Sequence, residues 1–322
     1  MSEYIKMWLS IIENMNNDNT YKLAWGRALL ELIVQLDTVE SVNTFTFKEI
    51  GHKMLKYYWN QLYFFNLKQS ANSKKPPVIV TETYKCIEFY QEKSGSMIPV
   101  WFDRAETVLE SDMAFYDKEL YKIARKLKDD VCWRFMNVKK QSLNVYDLDR
   151  DNFTVSFSDS EVLDLKEYAF VLSQLLNYRW AQLLEKFNNS PRIALKVKGI
   201  SDEKIRRNSL QKFRDILLLQ MHEDKVLDFY SGEKLDKNDI TVDHVIPWSF
   251  MYSDDIWNLV LTSKSNNSSK NNSVPSEETI HRLEERNQVL LNRIGEETSF
   301  YDDLKMAVDN DYVQKFYLSL KM

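Results

Sequence analysis

The chain has 322 residues and a net charge of −5, with 44% hydrophobic and 13% aromatic residues, enough for a packed core in more than one domain. No apolar run approaches the roughly 18 residues of a membrane-spanning helix, and charges interrupt the apolar pattern of the first 20 residues, which argues against a secretory signal. Two cysteines, Cys86 and Cys132, exclude a disulfide framework and a four-cysteine zinc site, so the expected setting is the reducing cytoplasm.

The first 190 residues read as mainly helical. Apolar residues recur at helical spacing over 19–36, behind an Asn/Thr start, and again over the aromatic-rich 47–65. The polar stretch 71–80, with Pro76 and Pro77, is a break. Helical patterns resume over 81–93 and 117–136. Residues 151–159, "DNFTVSFSD", alternate like one short strand. A long helix is predicted over 160–188, stopped by "NNSP". "WFDRAE" at 101–106 reads as an exposed aromatic beside charges.

From about 190 the character changes. Between Arg192 and Arg214 eight Lys or Arg face only Asp202 and Glu203, a local charge of +6 on an acidic chain. Such a stripe fits a phosphate footprint as well as it fits a solvated helix face, and Arg206 and Arg207 are the candidate phosphate contacts. A helix is predicted over 208–225. Residues 226–247 read as two strands joined by a polar turn at Gly232, and helical patterns return over 276–295 and 300–320. The expected division is a helical domain, 1–190, and a second domain, 191–322, with its core motif at 226–276.

Asp243 and His244 are adjacent at the end of a predicted strand. A hard carboxylate can hold Mg²⁺, while an imidazole that stays off the metal can take a proton from an attacking water. Alone, such a dipeptide is commonplace. Asn258 follows 14 residues after His244, and Asn267 nine later. The run "SKSNNSSKNNS", 263–273, has the composition of a linker, yet it is flanked by "DDIWNLVLT" and "VPSEETI", which do not.

The stretch 241–276 resembles the HNH endonucleases, and in particular the HNH domain of RNA-guided CRISPR nucleases. The order is the same: "VDH", two apolar residues, Pro, "SF", an acidic pair, Asn, "VLT", an Asn-rich run, a Lys and "VPSEE". More loosely, 192–275 is similar to stand-alone bacterial HNH proteins. The resemblance implies a mainly α protein with a small α+β unit, in which a ββα-metal domain follows the helical domain and further helices close the chain. It makes Asp243 and Asn267 ligands of Mg²⁺, for which Mn²⁺ can substitute, and His244 the general base. Asn258 would bond backbone and hold the loop that orients His244. Lys270, three positions after Asn267 and therefore on the same face of a helix, would meet the phosphate. Under this reading the Asn/Ser run is the short helix of the ββα unit.

Many HNH proteins carry a zinc-binding cysteine quartet. Here the corresponding places hold Asp228, Ser231, Ser263 and Asn266, so no structural zinc is expected. Packing by Phe229, Tyr230, Ile246, Trp248, Phe250, Ile256 and Trp257 would hold the unit together. The remaining histidines, His52, His222 and His281, have no ligand at useful spacing.

The implied activity is one-metal hydrolysis of double-stranded DNA. The helical domain would supply specificity, dimerisation or contact with a protein partner. Restriction or phage defence, on its own or as effector of a multi-gene system, is the expected setting. Other readings are an RNase or toxin-like nuclease, since phosphodiester chemistry does not distinguish the sugar, and a DNA-binding regulatory subunit that keeps the fold. With no second nuclease motif, the chain is not expected to be an RNA-guided effector itself.

Overall fold

A computed structural model describes residues 1–71, 75–139, 141–198, 209–219, 226–270 and 273–321. The protein is mainly α-helical with small antiparallel sheets, and it divides into two compact units. One is Met1–Asn188 with Ile193–Glu203; the other is Asn189–Arg192 with Lys204–Met322. Among the described residues no helix is long and apolar enough to cross a membrane.

In the first unit, α1 (Glu3–Asn14) starts at Ser2, whose hydroxyl accepts from the Ile5 amide. Helix α2 (Tyr21–Val34) is buried over most of its length. Gly26 lies where an added Cβ would come within 2.8 Å of the Phe135 ring, so only glycine allows this approach. Strand β1 (Val42–Thr46) runs directly into α3 (Phe47–Trp59), and Thr46 and Glu49 form a capping box at the junction. A π-helical turn, Asn60–Phe64, continues α3. Four helices follow: α4 (Val78–Ser94), α5 (Phe102–Leu109), α6 (Met113–Lys126) and, after a second π turn at Leu127–Val131, α7 (Cys132–Met136).

A short hairpin, β2 (Asn137–Val138) and β3 (Gln141–Ser142), leads to β4 (Asp147–Asp149) and β5 (Thr154–Ser158). Strand β5 is the centre of a three-stranded antiparallel sheet in the order β1-β5-β4, with Thr44 opposite Ser156 and Leu148 opposite Val155. A second capping box, Ser158 with Glu161, opens α8 (Asp159–Glu185), which packs on α1, α2 and α9 (Ile193–Lys198). Trp8, Trp25, Trp59 and Trp180 are fully buried in this unit.

The second unit comprises α10 (Gln211–Leu218), β6 (Ile240–His244), α11 (Trp248–Met251), β7 (Leu259–Ser263), α12 (Lys264–Lys270), α13 (Glu277–Leu291), α14 (Tyr301–Asp309) and α15 (Tyr312–Lys321). Strands β6 and β7 pair antiparallel, with Asp243 opposite Val260 and His244 opposite Leu259. Their apolar side chains join Phe213, Ile256, Trp257, Ile280 and Leu283 in a core separate from that of the helical unit.

Several expectations change. Among its described residues the helical unit holds five strands where one is predicted, because β1 is followed at once by a helix and β4 is three residues long. Residues 226–247 contain one strand; the other half makes only a bridge between Leu227 and Lys234, and the partner of β6 is the later β7. The predicted helix over 300–320 is two helices, broken where Asp311 takes a left-handed φ of 52°. Trp101 is half-buried and stacks on Phe64 at 4.4 Å, so it is a packing residue. The basic segment is no continuous stripe among its described residues: Lys196 is fully buried, Arg192 pairs with Asp255, and Arg214 donates to the Lys237 carbonyl.

Candidate active site

The site is built on the β6–β7 hairpin and the segments it clasps. The first is the turn after Leu227, where Gly232 holds a φ of +72° and its amide donates to the Asp228 carbonyl. The Asp228 carboxylate is 2% exposed and gathers three pieces of chain. One oxygen accepts from the amides of Tyr230 and Ser231; the other accepts from Thr262 Oγ1, the Ser263 amide and Asn266 Nδ2. Burial alone would raise its pKa. The donors at Ser231, Ser263, Asn266 and Thr262 overcome this and hold it down to about 2.

Asp243 and His244 end β6. Asp243 Oδ2 accepts from the Tyr230 hydroxyl at 2.6 Å and from Lys270 Nζ at 2.9 Å. The Lys270 ammonium also donates to the His244 carbonyl oxygen and lies 5.5 Å from the centre of the Tyr230 ring. Burial, and then Asp243 beside it, push the Tyr230 phenol well above its ordinary value, so it remains a donor. Burial lowers the Lys270 pKa, against the pull of Asp243.

His244 Nε2 lies 3.0 Å from Asp254 Oδ1, and only 9% of the histidine side chain is exposed. A carboxylate accepts; the tautomer that satisfies this contact carries its proton on Nε2, which leaves Nδ1 as the basic nitrogen.

The chain between these two acids and β7 is pinned by Asn258, which is fully buried. Its side chain accepts from the Ile246 amide at 2.7 Å and donates to the Ile246 carbonyl at 2.8 Å, while its own carbonyl accepts from the Val245 amide. The turn beyond carries Tyr252 at a φ of 56°, and Arg192 reaches both the Met251 carbonyl and the Asp255 carboxylate.

Residues 228–276 match the family model of the HNH endonucleases. The chain carries an HNH endonuclease domain. No solved structure matches the chain.

Within the HNH domain, Asp243, His244 and Lys270 are in mutual contact, and Asn258 anchors the segment that follows His244. Asn267 sits on α12 one turn before Lys270, half-buried, and α12 packs on both strands. Lys270, the expected phosphate contact, donates to the Asp243 carboxylate and to the His244 carbonyl. Arg206, Arg207 and His222 lie outside the described residues. His52 is paired with Glu106 at 2.5 Å, and the His281 side chain is 71% exposed beside Glu284 and Glu285.

Three residues of the site were assigned no such role from sequence. Sequence places Tyr230 only among the packing residues, Asp254 only as half of an acidic pair, and Asp228 only where many HNH proteins hold a cysteine. The place of the acidic pair within the family-like order is the available signal for the second; nothing in spacing points to the first.

Among the described residues no cluster of three or more His, Cys, Asp or Glu could hold a metal ion. The oxygen donors suit a hard divalent ion all the same. Asp243 already binds a cation, the Lys270 ammonium, jointly with the His244 carbonyl, and Asn267 offers an amide oxygen from the same helix. Mg²⁺ commonly takes one or two protein oxygens and completes its shell with water and phosphate.

Proposed function

We propose that the protein is a divalent-metal-dependent DNA endonuclease in which His244 is the general base. The observation that carries this reading is the pairing of His244 with Asp254, beside Asp243, inside a segment that matches the HNH endonucleases. With Nε2–H held by Asp254, Nδ1 takes a proton from the water that attacks phosphorus. Asp254 fixes the tautomer and stabilises the imidazolium that forms, as a positioning residue. Asn258 holds the turn that sets the ring's place. Asp243 and Asn267 would hold the ion, which when bound offsets charge on the phosphate and the leaving oxygen. Mg²⁺ is the natural occupant, and Mn²⁺ would substitute.

Duplex DNA is the proposed substrate, cut one strand per site. Residues 191–322 form the nuclease part, and the helical segment 1–190 contributes specificity, dimerisation or contact with an activating partner, in restriction or phage defence. The acidic total charge weighs against strong non-specific DNA binding, so recruitment would matter. The likeness of 241–276 to the HNH domain of RNA-guided nucleases belongs to this reading.

Supercoiled plasmid, linear single strands and RNA, each incubated with Mg²⁺ or Mn²⁺, test it. Metal-dependent nicking of plasmid is expected, abolished by EDTA and by His244→Ala, and reduced at least tenfold by Asp254→Asn, within the ~10²–10⁴-fold that a general base contributes. Cleavage that survives His244→Ala would overturn the assignment, and cleavage of RNA alone would replace the substrate.

A further inference from the structure

Asp243 Oδ2 is already occupied. The Lys270 ammonium binds it at 2.9 Å, and the Tyr230 hydroxyl donates to the same atom at 2.6 Å. This pair is enclosed: 11% of the Lys270 side chain and 13% of the Asp243 side chain are exposed. The ammonium also takes the carbonyl oxygen of the next residue, His244. A carboxylate and a backbone carbonyl turned on one positive charge form a small cation seat, and the seat is filled by the chain itself.

A divalent ion on Asp243 would stand within a few ångströms of that ammonium. Like charges at such distances repel, and more strongly in a partly enclosed site than in water. Lys270 has a reason to leave and a means of leaving. Its charge sits on a flexible four-carbon stem at the end of α12, and a phosphodiester offers it an anionic partner.

We propose that Lys270 is the resident cation of the nuclease site and exchanges partners when substrate arrives. Without nucleic acid it sits on Asp243 and keeps divalent ions off. A phosphodiester draws it away, and the released carboxylate takes the ion. Nucleic acid and metal therefore bind synergistically, each raising the other's affinity by the same factor, as linkage requires. Metal chemistry is thereby confined to the substrate complex. The proposal rests on the nuclease reading for the identity of the second ligand, but its first half concerns only the protein and the ion.

Mn²⁺ binding to the full chain, followed by electron paramagnetic resonance, tests the two halves separately. Without nucleic acid, Lys270→Met should bind Mn²⁺ about tenfold more tightly than the unaltered chain, while Lys270→Arg, which keeps the charge, should not. A cleavage-resistant phosphorothioate duplex should then tighten Mn²⁺ binding to the unaltered chain about tenfold more than it tightens binding to Lys270→Met, where only the duplex's own phosphate adds to the ion's shell. Circular dichroism of each variant checks that it is folded. Mn²⁺ binding that is unchanged or weakened in folded Lys270→Met overturns the exchange and leaves the nuclease reading standing. Failure of every form to bind Mn²⁺, with or without duplex, overturns both.

Discussion

Asp228 accepts five hydrogen bonds from three separate pieces of chain, and none of its donors is another charge. Buried carboxylates usually cost stability, and the sign is reversed here because every lone pair is matched by a donor that would otherwise lack a partner. The folded pKa, held to about 2, lies below that of a free aspartate. The stabilisation is therefore complete above pH ~4, is worth on the order of 2 kcal/mol at neutral pH, and is lost as pH falls through about 2. Asp228→Asn keeps the shape and turns an amide toward donors. It should weaken the C-terminal unit by about 2 kcal/mol at pH 7 and by far less near pH 2. Hydrogen exchange of peptides from 226–270 at the two pH values measures the difference; an equal loss at both would remove the charge from the explanation.

Among elements, α13 holds the turn before β7 as α12 packs on the two strands. Arg286 donates to the carbonyls of Ile256 and Trp257, and Asn287 donates to Trp257, all of them buried. These carbonyls belong to the turn that ends in Asn258, so the position of His244 depends on two side chains more than 40 residues downstream in sequence. Arg286→Met fills the space and removes the donors. We expect a loss of about 1–3 kcal/mol for each orphaned carbonyl, seen as a lower Tm, with cleavage falling alongside it. A Tm that stays put would show that water replaces the guanidinium.

The same long-range bonding explains what could be read from the sequence. Helices such as α2, α3 and α8 carry their apolar period within themselves and were visible. Strands β1 and β4 owe their existence to pairing with β5, which lies about 110 residues from β1, and five or three residues carry no usable period. In the site, Asp243, His244, Asn258, Asn267 and Lys270 stood out because a family-like order placed them. Tyr230 and Asp254 act through contacts across 13 and 10 residues, and Asp228 through one across 38, which spacing alone cannot reveal.

At the scale of the whole molecule, the two units differ in what holds them. Both cysteines, Cys86 and Cys132, are buried in the helical unit, and burial pushes their thiols up, to about 12 and about 11. The unit with the nuclease motif has no cysteine at all, and the clasp between its turn, its strand and α12 is a carboxylate. Chelator should therefore abolish cleavage and leave the Tm of this unit within about 1 °C; a large drop would mean that metal carries part of the fold. If the unit stands without its ion, the ion becomes a starting signal. Under the proposed function, protein and DNA mixed and equilibrated in chelator would stay silent, and a pulse of Mg²⁺ would then set every molecule cutting from the same instant.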